Sequence, residues 1–136
     1  MNKIFEYKFQ VLEKHLDTFG HVNNATYLEL YEEARWDFIT KNGYGLDKVQ
    51  QNKVGPVILD IHLSFKKELK NRENVLVKSQ TLDYINSLVM SLKQEMYKEG
   101  GELANTLVMH VGLFDLENRK LIKPTPKWLS AIGVAQ

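Results

Sequence analysis

From Phe5 to Val11 apolar side chains fall at every second position, with Phe5, Tyr7, Phe9 and Val11 on one face and Glu6, Lys8 and Gln10 on the other. That period of two predicts a half-buried strand. From Asn23 to Thr40 the pattern changes. At about 100° per residue, Tyr27, Leu28, Leu30, Tyr31, Ala34, Phe38 and Ile39 gather within one half-circle, opposite Glu29, Glu32, Glu33 and Asp37. Asn23 or Asn24 can cap this helix by taking a first-turn N–H, and Gly43 and Gly45 supply its stop. The stripe is wide and aromatic, which suits a helix cradled by a curved sheet better than one lying on a flat surface. A short helical turn is expected over residues 46–50.

Alternation returns from Val57 to Lys66, with Val57, Leu59, Ile61, Leu63 and Phe65 sharing one face, and predicts a long second strand. Three more strands are expected over residues 74–83, 87–97 and 102–114, separated by the turn signals Tyr84-Ile85-Asn86 and Glu99-Gly100-Gly101. Those three should be antiparallel neighbours. Lys120 to Lys123 reads as a short strand, and Pro126 suits the first turn of a helix reaching Ile132. The order of strand, long helix and four strands is an α+β plan, one curved antiparallel sheet of five or six strands with a single helix against it. Such a sheet keeps an open edge, and pairing with a second copy would satisfy its free backbone groups. A homodimer or larger assembly is therefore expected.

Composition narrows the class. The 136 residues suffice for one hydrophobic core, so a single domain over residues 1–136 is expected. The 18 basic and 17 acidic residues nearly cancel, which disfavours a polyphosphate-binding surface and hence a nucleic-acid partner. The chain has no cysteine, so disulfides, thiolate metal sites and a cysteine nucleophile are excluded. Charge interrupts the first residues before a signal-peptide core could form, and no apolar run approaches the roughly 18 residues of a membrane span. A cytoplasmic location is the expectation.

Candidate chemistry concentrates where the first loop meets the helix. Asp17, Gly20, His21, Asn23 and Asn24 lie within eight residues, followed by Ala25 and Tyr27, at the point where unpaired helix N–H groups gather. A carboxylate can activate water or attack a carbonyl, and helix-start N–H groups near Asn23, Asn24 and Ala25 can hold a developing oxyanion. Gly20 permits a positive φ or a close backbone approach. His21 serves either a structural hydrogen bond or substrate, the Asn pair either caps the helix or holds water, and Tyr27 lies in the apolar stripe. Asp17 and His21 alone make no metal site, and no cofactor is expected. His62 and His110 fall in strand patterns, where a sheet histidine satisfied by a neighbour is the usual case, and His15 should be exposed.

The Asp17, Gly20, Val22 loop with Asn23, Asn24 and Tyr27 at the helix start resembles the hotdog-fold acyl-CoA thioesterases, in the branch with 4-hydroxybenzoyl-CoA thioesterase and the bacterial Tol-Pal-associated thioesterases. The His21-Val22-Asn23-Asn24 run is also similar to plant acyl-carrier-protein thioesterases, and the stretch from Ile61 through Leu69 into Val75 resembles the family's second strand and following turn. The resemblance implies a sheet wrapped around one long helix and hydrolysis of an acyl-CoA, or acyl-carrier-protein, thioester in a homodimer or tetramer. It implies Asp17 as base or nucleophile, with His21, Asn23 and Asn24 beside it. Gly20, Ala25, Tyr27 and Tyr31 would contact substrate, and Tyr31, Trp36 and Phe38 would wall an acyl tunnel. Lys66, Lys67, Lys70 and Arg72 would meet the coenzyme A phosphates. A hotdog dehydratase or hydratase and a non-catalytic acyl-CoA-binding module are the alternatives.

Overall fold

The computed structural model describes residues 1–135. In chain order the elements are β1 (Ile4–Gln10), a 3-10 turn (Glu13–His15), α1 (Asn24–Lys41), α2 (Leu46–Asn52), β2 (Val54–Phe65), β3 (Asn74–Tyr84), β4 (Val89–Tyr97), β5 (Leu103–Asp115), β6 (Lys120–Ile122) and α3 (Pro126–Ala131). The strands form one antiparallel sheet in the order β1-β3-β4-β5-β2. The expected β3, β4, β5 neighbours are present. β6 pairs with Leu113–Asp115 of β5, just past Gly112, where the β4 ladder ends.

Both ends of α1 follow from local sequence. Asn23 has extended backbone and its side chain accepts the Ala25 N–H, so it is the N-cap. At the other end the Gly43 N–H bonds the Thr40 carbonyl and the Tyr44 N–H bonds the Ile39 carbonyl, with Gly43 at φ 88°. This paired arrangement requires a left-handed residue, which glycine supplies without a Cβ clash. Gly43→Ala is expected to cost about 1 kcal/mol, read as a lower urea midpoint with an unchanged slope.

The core lies between α1 and the sheet. Tyr27, Leu30, Tyr31, Ala34, Phe38 and Ile39 of α1 are buried against Val75, Val77, Met96, Leu107, Met109 and Leu113, and Phe5 stacks on Phe38 with ring centroids 4.5 Å apart. Two helix positions depart from the expected stripe. Leu28 is 38% exposed, whereas Arg35 is 7% exposed, because Arg35 Nη1 donates to Gln94 Oε1 of β4 at 2.8 Å. Gln94 Nε2 in turn donates to the Tyr31 carbonyl and to Ser79 Oγ. A buried polar side chain persists only when bonded in this way.

β2 also departs from simple alternation. It begins at Val54, three residues before the expected start, and includes Pro56, which an edge strand tolerates. The register slips between Ile58, opposite Val111, and Asp60, opposite His110, leaving Leu59 as a bulge. Ile58, Ile61, Leu63 and Phe65 therefore share the helix-facing side with their buried or core-packed partners, while Val57 falls on the other face. Asp60, His62 and Ser64 point outward, where His110 Nδ1 meets Asp60 Oδ2 at 3.0 Å and His62 Nε2 meets Ser64 Oγ at 3.1 Å. Among the described residues no helix is long and apolar enough to cross a membrane.

Candidate active site

The loop before α1 is held in shape by its own polar groups. Leu16 and Val22 form an antiparallel bridge, the Asp17 N–H donates to the His21 carbonyl at 2.8 Å, and Gly20 takes φ 79° to close the turn. Asp17 Oδ1 accepts the N–H groups of Phe19 at 2.9 Å and His21 at 3.1 Å. Among the described residues Asp17 Oδ2 meets no donor, and the side chain is exposed. One carboxylate oxygen thus fixes the loop while the other stays free.

The donors at the start of α1 divide unequally. The Asn23 N–H goes to the His15 carbonyl, the Ala25 N–H is accepted by the side-chain oxygens of both Asn23 and Asn24, and the Tyr27 N–H goes to the Asn23 carbonyl. Among the described residues this leaves the N–H groups of Asn24 and Thr26 without an acceptor. Free N–H groups at the positive end of an 18-residue helix favour a negative oxygen. Of the three donors expected from sequence, Asn24 is the one left open. His15 is half-buried rather than exposed, because its Nδ1 accepts the Leu12 N–H and its ring meets Phe9 edge-on.

Beside this helix start lies an open cleft of about 380 Å³, lined by His21, Asn24, Tyr27, Phe65, Lys66 and Lys67 among others. Tyr27 and Phe65 meet at 5.0 Å between ring centroids and form an apolar wall, and burial pushes the Tyr27 hydroxyl pKa up. Glu68 also lines the cleft, with Oε1 3.7 Å from His21 Nε2. Glu68 was not among the residues expected from sequence, although it directly follows the two lysines in the same turn. Lys66 and Lys67 are exposed at the mouth, and Lys67 Nζ reaches Glu102 at 4.0 Å.

The other predicted residues lie elsewhere. Asp17 and Gly20 sit in the adjoining loop outside the cleft lining, and Ala25 is exposed on the first turn of α1. Tyr31 is fully buried, its hydroxyl bonded to the Asn105 side chain and carbonyl, and burial raises its pKa. Asn105 Nδ2 is buried with no partner among the described residues. Arg72 is paired with Glu13 through two hydrogen bonds, the Nε contact being 2.7 Å, and this bonding holds the Glu13 carboxyl at about 2. Lys70 is exposed, with its backbone N–H bonded to Glu73. Phe38 belongs to the core, whereas Trp36 lines a separate cavity between α1 and the sheet.

A curved antiparallel sheet packed against one long helix is the hotdog fold. The chain belongs to the Thioesterase-like superfamily, whose family model matches residues 11–132, and it is a thioester hydrolase. It is 31% identical over 110 residues to the long-chain acyl-CoA thioesterase FadM of Escherichia coli, covering 79% of this chain and 81% of that one. Its fold matches a DHNA-CoA thioesterase from Staphylococcus aureus with TM-score 0.82 at 24% identity, covering 94% of this chain and 87% of that one. A 1,4-dihydroxy-2-naphthoyl-CoA thioesterase from Synechocystis matches with TM-score 0.85 at 18% identity, covering 96% of each chain.

Proposed function

We propose that the protein hydrolyses acyl-CoA thioesters, with Asp17 as the base for water or the attacking carboxylate and the Asn24 N–H as an oxyanion donor. The observation that carries this reading is the free Asn24 N–H at the cleft wall, one loop away from an exposed carboxylate with an uncommitted oxygen. As a thioester carbonyl becomes tetrahedral its oxygen gains charge, and a fixed donor at a helix start stabilises that charge more than the ground state. Coenzyme A then leaves as thiolate. His21 and Glu68 face the same space and can order the attacking water. Lys66 and Lys67 at the mouth suit the phosphates, while Arg72 is engaged by Glu13 and adds little there. The apolar wall of Tyr27 and Phe65 suits the first carbons of the acyl group.

The working unit in this reading is a homodimer built on the free edge of β2. The similarity to the long-chain acyl-CoA thioesterase FadM supports coenzyme A as the carrier. The test is release of free thiol from a panel of acyl-CoAs and acyl-carrier-protein thioesters by purified protein. Steady turnover of acyl-CoAs is expected. Binding without thiol release would make the protein an acyl-CoA carrier, and double-bond hydration without thiol release would make it a hydratase.

A further inference from the structure

α1 runs antiparallel to β2. Tyr27 meets Phe65 at one end, and Ile39 and Pro56 line a common cavity at the other. Between these ends Leu63, Ile61 and Ile58 continue the helix-facing row of β2, with Ile61 and Ile58 each 38% exposed. The row leads from the cleft to a cavity of about 100 Å³ walled by Ile58, Leu92, Met109, Val111, Trp36 and Trp128 among others.

Two charged residues interrupt this apolar wall, Arg35 and Glu32. Arg35 is buried, yet the one acceptor its guanidinium meets among the described residues is the neutral amide oxygen of Gln94. A guanidinium carries five N–H donors, and those of Arg35 not bonded to Gln94 keep contact with water at the cavity, since no Arg35 nitrogen is both buried and without a partner among the described residues. Glu32 is exposed and forms no ion pair with Arg35 within 4.0 Å among the described residues, although its charge acts on that guanidinium. A plain methyl end in this cavity would exclude water from Arg35 and give nothing back. A carboxylate end would meet Glu32 as a like charge. A hydroxyl group accepts from the one and donates to the other.

We propose that this cavity receives the far end of a long acyl chain bearing a hydroxyl group, which accepts a hydrogen bond from Arg35 and donates one to Glu32. The proposal rests on the thioesterase reading for the position of the other end. Arg35 lies eleven residues beyond Asn24, about 16 Å along the helix at 1.5 Å per residue. The hydroxyl therefore sits near the chain terminus, far from the thioester.

The test compares palmitoyl-CoA, its ω-hydroxy derivative and the corresponding dicarboxylic mono-CoA ester by thiol release. Calorimetry with the three free acids is run alongside and does not depend on turnover. Wild type is expected to favour the ω-hydroxy compound over the plain one on the order of tenfold in kcat/KM and in affinity, with the dicarboxylic compound behind. In Arg35→Met the ratio should fall close to one. Glu32→Leu, at an exposed position of the cavity lining, removes the acceptor for the hydroxyl and should also bring the ratio close to one, which covers the case in which Arg35→Met fails to fold. A wild-type ratio near one in both measurements overturns the proposal, as does an unchanged ratio in either folded variant. Preferential binding of the free hydroxy acid without hydrolysis of any thioester would sink the thioesterase reading and leave the cavity assignment standing.

Discussion

Asp17→Asn is expected to lower kcat/KM for acyl-CoA hydrolysis by about 10²–10⁴-fold while leaving the thermal midpoint nearly unchanged. The two expectations come from different oxygens of one carboxylate. Oδ1 accepts the Phe19 and His21 N–H groups, and an amide retains an oxygen that can do the same. Oδ2 meets no donor among the described residues, and it is this oxygen that can take a proton from water or attack the thioester. Replacing it with NH2 removes the reactive atom and keeps the turn. Asp17→Ala removes both, so it should lower the midpoint as well as the rate. Full turnover in a folded Asp17→Asn variant would exclude Asp17 from the chemistry and direct attention to Glu68, the carboxylate that lines the cleft beside His21. Wild-type single turnover in oxygen-18 water separates the two routes. A general base places label in the product acid at once, whereas a mixed anhydride cleaved at the Asp17 carbon places it in the Asp17 carboxylate.

What was legible in the sequence follows the range of the interaction responsible. The ends of α1 are set by Asn23 and by Gly43 within a few residues of chain, and both were readable. The bulge at Leu59 was not, because Leu59 belongs to an unbroken apolar-alternate run and only pairing with β5 shows the slipped register. Arg35 stands four residues after Tyr31, on the same helix face, so the spacing contained a signal. Its burial still depends on Gln94, 59 residues further along. The basic turn after β2 shows the same limit. Arg72 looked available for phosphate, but Glu13, 59 residues earlier, already holds it. At the site itself, composition identified the loop and the helix start, while only the hydrogen bonds reveal that Ala25 is satisfied and Asn24 is open.

Leu59→Lys is expected to raise the dimer dissociation constant by at least about 100-fold, because an unpaired charge would be carried into an apolar interface. β2 ends the strand order, so among the described residues one side of a 12-residue strand has no strand partner. Its exposed apolar residues are unusual for a surface: Leu59 is 48% exposed and Phe65 55%, with Ile58 and Ile61 beside them. The edge-to-edge pairing of two copies proposed above would satisfy the free backbone groups and cover these side chains together. The outer sheet face offers less, since Asp60, His62, Ser64 and His110 are already paired with one another there. Leu59 is also the bulge residue, outside the ladder register, so lysine at that position leaves the monomer fold intact. Sedimentation velocity should show wild type as a dimer and the variant as a folded monomer at micromolar concentration. Turnover should fall with the dimer fraction, because the row from Phe65 to Ile58, proposed above as the path of the acyl chain, would lose its outer wall. A wild-type chain that is monomeric and fully active would remove the second copy from the site altogether.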